Sequence, residues 1–241
     1  MKEILEKKYK AIDEFKRRVL KSKFGDHIAK MVLFGSVLRE EAYEDSDIDL
    51  LIFSTNSKKE VEKFLDDVSS DIWWETGESV EALLFPISEL RFPTSWLVYR
   101  TLEIGKEVYS MSENEIKEEE QKGYAELARL FVEDAKRNLA DDAFRAAVDL
   151  AYNGAELAVK GLLLFKPGDL PSTHRGVMNR FGDLFARTGE VKTELGRRLR
   201  LALGKRNQAR YVFSAHVGRE DAEEVINLAE VLLAILERRL K

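Results

Sequence analysis

The sequence predicts an α+β protein, with a small mixed sheet and its packed helices followed by an all-α antiparallel helical bundle. Three observations carry that expectation. Residues 1–112 alternate amphipathic helical patterns with short apolar runs of strand length, residues 123–241 show helical spacing only, and the acidic stretch SENEIKEEEQKG lies between them. The expected domains are therefore 1–112 and 123–241.

Each element has its own warrant. Ile4, Leu5, Tyr9, Ile12, Phe15, Val19 and Leu20 recur at three- and four-residue intervals, which makes residues 2–22 an amphipathic helix. IAKMVLF (28–34) is a strand running into Gly35, and IDLLIF (48–53) is the next. A helix through KKEVEKFLDDVSSDI follows a capping Asn56 or Ser57, and SVEALLF (79–85), bounded by Gly77 and Pro86, is a third strand. LEIGKEVYS (102–110) also has strand character. After the acidic break a new helical pattern occupies 124–139.

AFRAAVDLAYNGAELAVKGLLLF is apolar nearly all round, as a central bundle helix should be, with Asp141 and Asp142 expected to cap it. Asn153-Gly154 is ordinarily a turn signal. Apolar spacing continues through Leu157, Ala158 and Leu162, so Gly154 is read instead as a point of close helix packing. Three more helices are expected in HRGVMNRFGDLFARTG, ending at Gly189, in VKTELGRRLRLALGKRNQARYVF, and in EDAEEVINLAEVLLAILERRL, making five in the bundle. The apolar last helix would suit a homodimer.

Composition bounds the chemistry. The chain has 241 residues, 34% of them charged, a formal net charge of −5 and no cysteine, which excludes disulfides, thiolate chemistry and cysteine-based zinc sites. His27, His174 and His216 are scattered, so any metal is expected to sit mainly on oxygen. No apolar run reaches the roughly 18 residues of a membrane span and the charged N-terminus has no signal-peptide core, so a cytoplasmic protein without a membrane partner is expected.

The segment FGSVLREEAYEDSDIDLLIF drives six acids into an apolar strand. Unpaired carboxylates entering a core are costly, so a cation is expected beside them. Gly35-Ser36 follows a strand, where a missing side chain admits a phosphate and the hydroxyl can donate to it. After ten intervening residues, Asp47-Ile48-Asp49 heads the next strand, and alternation puts both carboxylates on one face. Paired carboxylates beside a phosphate cradle suit Mg²⁺ and phosphoryl or nucleotidyl transfer.

Gly35-Ser36, then Asp47-Ile48-Asp49, with Arg39 and Ser46 also in place, resembles the GS…DxD signature of the DNA polymerase beta-like nucleotidyltransferases, in their minimal branch. The resemblance covers residues 1 to about 110. It implies a metal site of Asp47, Asp49 and a third carboxylate, for which Glu81 is the candidate and Glu78 the alternative, holding Mg²⁺ or Mn²⁺. The family more often has Asp at the third position. Gly35, Ser36 and Arg39 would contact ATP or another nucleoside triphosphate. The implied reaction moves a nucleoside monophosphate onto a hydroxyl of a protein, an RNA or a small molecule such as an aminoglycoside, with toxin-antitoxin modules among the contexts.

From about residue 123 the chain resembles HEPN domains, through PSTHRGVMNRFGDLFARTGE and KRNQARYVF. Active HEPN ribonucleases carry R-x4-6-H. Here Arg206-Asn207 leads to Tyr211 instead of His, while Arg210 and His216 have the spacing but a Tyr after the Arg, so the implied ribonuclease site is Arg206, Asn207, Arg210, Tyr211 and His216. A phenol that ionises near pH 10 is a poor proton carrier at neutrality. His174 is read as a helix-start cap or core contact. Between Gly196 and Gly218 lie Arg197, Arg198, Arg200, Lys205, Arg206 and Arg210 and no acid, a stripe fit for nucleic-acid phosphates, for the acidic first half, or for solvent.

Overall fold

The structure, a computed structural model, describes residues 2–55 and 59–241. The helix cap expected at Asn56 or Ser57 lies outside the described residues. The chain divides into two compact units, Met1–Ile116 and Lys117–Lys241.

In the first unit, α1 (Lys2–Lys21) precedes β1 (Ile28–Phe34), a short helical turn α2 (Gly35–Leu38) and β2 (Ile48–Ser54). Then come α3 (Lys59–Thr76), β3 (Val80–Pro86), α4 (Trp96–Ile104) and β4 (Lys106–Ser110). The sheet order is β3-β2-β1-β4, with β1 antiparallel to β2 and β4, and β2 parallel to β3. The sheet is therefore mixed, as expected. Pleating sends Met31, Leu33, Ile48, Leu50, Ile52 and Val80 to one face, where Ile12, Phe15 and Val19 of α1 and Val61, Leu65 and Ile72 of α3 cover them. Val32, Leu51 and Phe53 point to the other face and meet Val98 of α4.

Helix α4 was not legible as a helix. Leu102-Glu103-Ile104, read as the start of a strand, is its last turn, and only Lys106–Ser110 pairs with β1. Its start has a local signal all the same, because the Ser95 hydroxyl accepts the Val98 N–H at 3.2 Å.

The second unit contains most of α5 (Glu113–Ala140), then α6 (Phe144–Leu163), α7 (His174–Phe181) running into a π-helical turn at Gly182–Ala186, α8 (Thr193–Tyr211) and α9 (Arg219–Arg239). The acidic stretch is helix, not a break. Ser112 and Glu115 form a reciprocal N-terminal cap, with the Ser112 N–H donating to Glu115 Oε2 at 2.8 Å and the Glu115 N–H to Ser112 Oγ at 3.3 Å. Lys122 then pairs with Glu118 and Glu119 one turn back, at 3.2 and 2.8 Å.

The expected cap of α6 is also corrected. Ala143 occupies the cap position with no side-chain hydrogen bond, while Asp142, at φ +55°, makes the turn and sends its carboxylate to Arg219 at 2.5 Å. Asn153-Gly154 is helical, and a Cβ at Gly154 would stand 3.1 Å from Val132 Cγ2 and 3.2 Å from the Ala128 carbonyl, so the glycine lets α5 and α6 approach. Tyr152, Phe181, Phe185, Leu199, Leu232 and Leu236 fill the bundle core. Among the described residues, no helix is long and apolar enough to cross a membrane.

Candidate active site

The acidic motif and the glycine turn meet at one end of β2. Asp49 lies opposite Phe34 on β1 and beside Glu81 in the parallel register with β3. Glu81 shares its face of the sheet with Leu83 and Phe85, the face toward which Asp49 also points. Asp47 stands just before the strand and is exposed, so the ladder itself does not fix its direction. Gly35 has φ +76°, and a Cβ there would lie 1.7 Å from Asp49 Oδ2. The glycine is thus needed for its backbone conformation and for room, because Asp49 occupies the space a side chain would take.

The electrostatics match a gathering of like charge. Partial burial pushes the Asp49 carboxyl above the ordinary aspartate range, Glu81 and Asp47 push it further, and Arg39 opposes them. Arg39 is exposed and pairs with Glu41 at 2.8 Å, a contact worth little in water. The Ser36 hydroxyl, half-buried beside Gly35, has no hydrogen-bond partner among the described residues. No three His, Asp or Glu side chains among the described residues are gathered closely enough to hold a metal ion. Asp47, Asp49 and Glu81 match such an ion in donor type, being hard oxygen ligands, and a divalent cation would offset the burial and then the like charge that act on Asp49.

Glu78 is otherwise engaged. It is buried and bonded at 2.7 Å to the ammonium of Lys8, itself 0% exposed in α1. That ammonium also donates to the carbonyls of Ser46 at 2.6 Å and Glu44 at 3.3 Å.

In the second unit, Arg206 is buried and reaches Asp149 of α6 at 3.0 Å, Asn207 Oδ1 at 3.2 Å and the Tyr211 hydroxyl at 3.5 Å. Arg210 approaches the same Asp149 at 3.5 Å. Those four sequence-predicted residues are together. No hydrogen bond or ion pair joins His216 to that group among the described residues, and its charged neighbour is Asp221 at the start of α9. His174 opens α7, but the cap is Thr173, whose hydroxyl accepts the Gly176 N–H, while His174 Nδ1 bonds to buried Glu156. Burial would raise the Glu156 carboxyl, yet His174 and Lys160 hold it below the usual range. The Tyr152 ring packs edge-on to His174, and its buried hydroxyl makes no hydrogen bond of normal geometry, although Glu156 is beside it.

Residues 12–124 match the nucleotidyltransferase domain model and residues 122–239 match the HEPN domain model. The chain is a nucleotidyltransferase domain followed by a HEPN domain. "Putative protein adenylyltransferase MJ1305" of Methanocaldococcus jannaschii is 36% identical over 76 residues, covering 30% of this chain and 51% of that protein. The chain thus spans about half the length of the curated relative it matches. Among solved structures, TT1696 from Thermus thermophilus aligns with TM-score 0.43 and 24% identity, over 49% of this chain and 96% of that one. Spectinomycin adenyltransferase AAD(9) from Enterococcus faecialis, solved with ATP and spectinomycin, aligns with TM-score 0.31 and 13% identity, over 95% and 99%.

The nucleotidyltransferase domain holds a buried cation beside the acidic motif that the sequence does not single out. Lys8 sat among seven other basic residues in the first 21, and only its zero exposure separates it from them. In the HEPN domain the residue missed was Asp149, an acid in a helix read as apolar nearly all round, which faces Arg206 and Arg210. The acid-free basic stripe also finds its acids elsewhere in the domain. Lys205 pairs with Asp221 at 2.8 Å and with Glu224, Arg206 and Arg210 share Asp149, and Arg197 pairs with Glu194 at 2.7 Å.

Proposed function

We propose that the nucleotidyltransferase domain transfers a nucleoside monophosphate, with AMP from ATP as the favoured case, onto an acceptor hydroxyl. The observation that carries this reading is the register that sets Asp49 beside Glu81, with Asp47 two residues earlier and Gly35 cleared of a side chain against Asp49. The adenylyl group and a protein acceptor are supported by the Methanocaldococcus jannaschii relative, which is named a putative protein adenylyltransferase. The supported acceptor is accordingly a protein hydroxyl.

Asp47, Asp49 and Glu81 would hold the divalent cation, Mg²⁺ or Mn²⁺. Bound there, the cation would supply charge neutralisation on the triphosphate and on the oxygen that leaves with pyrophosphate. The Ser36 hydroxyl, without an internal partner among the described residues, is available to donate to phosphate oxygens, and Gly35 keeps the backbone open to them. Arg39 can leave its exposed pairing with Glu41 at little cost and turn toward a phosphate. The acceptor oxygen would attack the α-phosphorus as the bond to the bridging oxygen of pyrophosphate breaks, and Glu81, exposed on the neighbouring strand, would take the hydroxyl proton.

Incubation with ATP labelled at the α-phosphate and Mg²⁺, followed by a search for label on the chain itself, on cell-extract proteins, on RNA and on hydroxylated small molecules, tests the reading. Label on a macromolecule or small molecule that disappears in Asp47→Ala and Asp49→Ala is expected. Transfer unchanged in both variants would place the chemistry elsewhere.

A further inference from the structure

The strand ladder that fixes Asp49 and Glu81 does not extend to Asp47. β2 begins at Ile48, and Asp47 is exposed on the loop before it. Something other than strand pairing must therefore set where that carboxylate stands. One backbone bond does part of this, the Ile48 N–H donating to the Ser79 carbonyl at 2.8 Å.

We propose that Lys8 is the positioning residue for the metal-binding carboxylates, tying the loop before Asp47 to the turn before Glu81. Its ammonium, fully buried, holds the Ser46 carbonyl at 2.6 Å, one peptide away from Asp47, and the Glu44 carbonyl at 3.3 Å. On its other side it holds the Glu78 carboxylate at 2.7 Å, three residues before Glu81. A single cation on α1 thus clamps the two segments that deliver ligands to either side of Asp49. Burying a lysine is costly unless its donors are met, and here three oxygens from two loops meet them. For Glu78 alone a neutral pair would serve, but the two carbonyl contacts need a donor at that spot. The geometry gives Lys8 a role in the loop path that charge neutralisation does not explain.

This inference rests on the metal site proposed above, and the test separates the two. Mn²⁺ binding to the full chain is measured by titration calorimetry at saturating α,β-methylene-ATP, with melting temperature recorded for each variant. Lys8→Met is expected to melt lower and to bind Mn²⁺ about 10–100-fold more weakly, the usual loss for residues that orient metal ligands. Lys8→Met/Glu78→Met removes the buried charge pair entirely. It is expected to regain the melting temperature while Mn²⁺ affinity stays weak, and it decides the matter alone should the single variant not fold. Wild-type affinity in the double variant overturns the proposal, since Lys8 would then serve only to neutralise Glu78. Asp49→Asn is run beside them: wild-type Mn²⁺ affinity there would defeat the metal site itself, and the positioning role with it.

Discussion

Gly35 and Asp49 set the terms of the site. In Gly35→Ala the new methyl would enter the space of Asp49 Oδ2, and the residue would have to keep φ +76°, so backbone strain alone should cost about 1–3 kcal/mol. Urea unfolding should register that loss, and label transfer should fall by well over tenfold because the displaced group is the central carboxylate. Retained activity with retained stability would show that Asp49 has another place to go. Asp49 also makes a signed prediction. Its folded-state pKa is raised, by burial and then by Glu81 and Asp47, so the ionised form weakens the fold at pH above that pKa and the penalty disappears in acid. Metal-free Asp49→Asn should therefore melt above wild type at neutral pH, with the gap closing as pH falls below the carboxylate range, while transfer is lost. Thermal scans across pH read this directly. A variant melting lower at pH 7 would contradict it.

The same residues show what the sequence could disclose. Gly35, Ser36, Asp47 and Asp49 are neighbours in sequence or across one turn, so local pattern and strand alternation were enough to group them. Glu81 joins them only through the pairing of β2 with β3, a long-range register that local pattern does not specify. Lys8, 70 positions from Glu78, was beyond any local rule, as was Asp149, 57 positions from Arg206.

At the scale of elements, the strands at 28–34 and 48–53 were legible because they are short, apolar and followed by Gly or polar loops. At two places composition points away from the local chemistry. The run SENEIKEEEQKG looked like a break because it is acidic, yet Glu, Lys and Gln favour helix, and Ser112 with Glu115 has the spacing of a capping box. Ser112→Ala should cost about 1 kcal/mol, with helicity lost at the start of α5 by amide exchange. Unchanged protection there would mean the helix start is held by something else. Helix α4 was hidden because Leu102-Glu103-Ile104 continues into an actual strand across a single glycine.

Within the bundle, Glu156 ties α6 to the start of α7 through His174, and Lys160 of its own helix helps hold the carboxyl pKa below its ordinary value. A carboxylate depressed in the folded state adds stability that is complete above its unfolded pKa and is lost as pH falls through the folded one. Glu156→Gln should therefore be less stable than wild type near neutrality and nearly equal to it in acid. Denaturant titrations of both proteins at pH 7 and below pH of about 4 provide the comparison. A constant difference at both values would assign the effect to packing.

For the molecule as a whole, the cores are separate: the buried clusters of the first unit share no residue with that of the second. Two cores of ordinary size should not unfold as one. Calorimetry of the full chain should resolve two transitions, with Gly35→Ala lowering one and Gly154→Val, which overfills the contact with Val132, lowering the other. A single transition displaced by either substitution would contradict this. The division of labour follows the same line. The HEPN domain answers most of its basic stripe with its own acids, whereas in the nucleotidyltransferase domain Asp49 is acted on by the like charges of Glu81 and Asp47, with Arg39 opposing them.

A crystal of the chain with Mn²⁺ and α,β-methylene-ATP tests the proposed metal site most directly, through the anomalous signal of the metal. The account predicts a manganese peak bonded to Asp47 and Asp49, with Glu81 turned toward it and the triphosphate lying along Gly35-Ser36. A nucleotide seated away from that turn, or a metal bound with Asp49 left out, would contradict it.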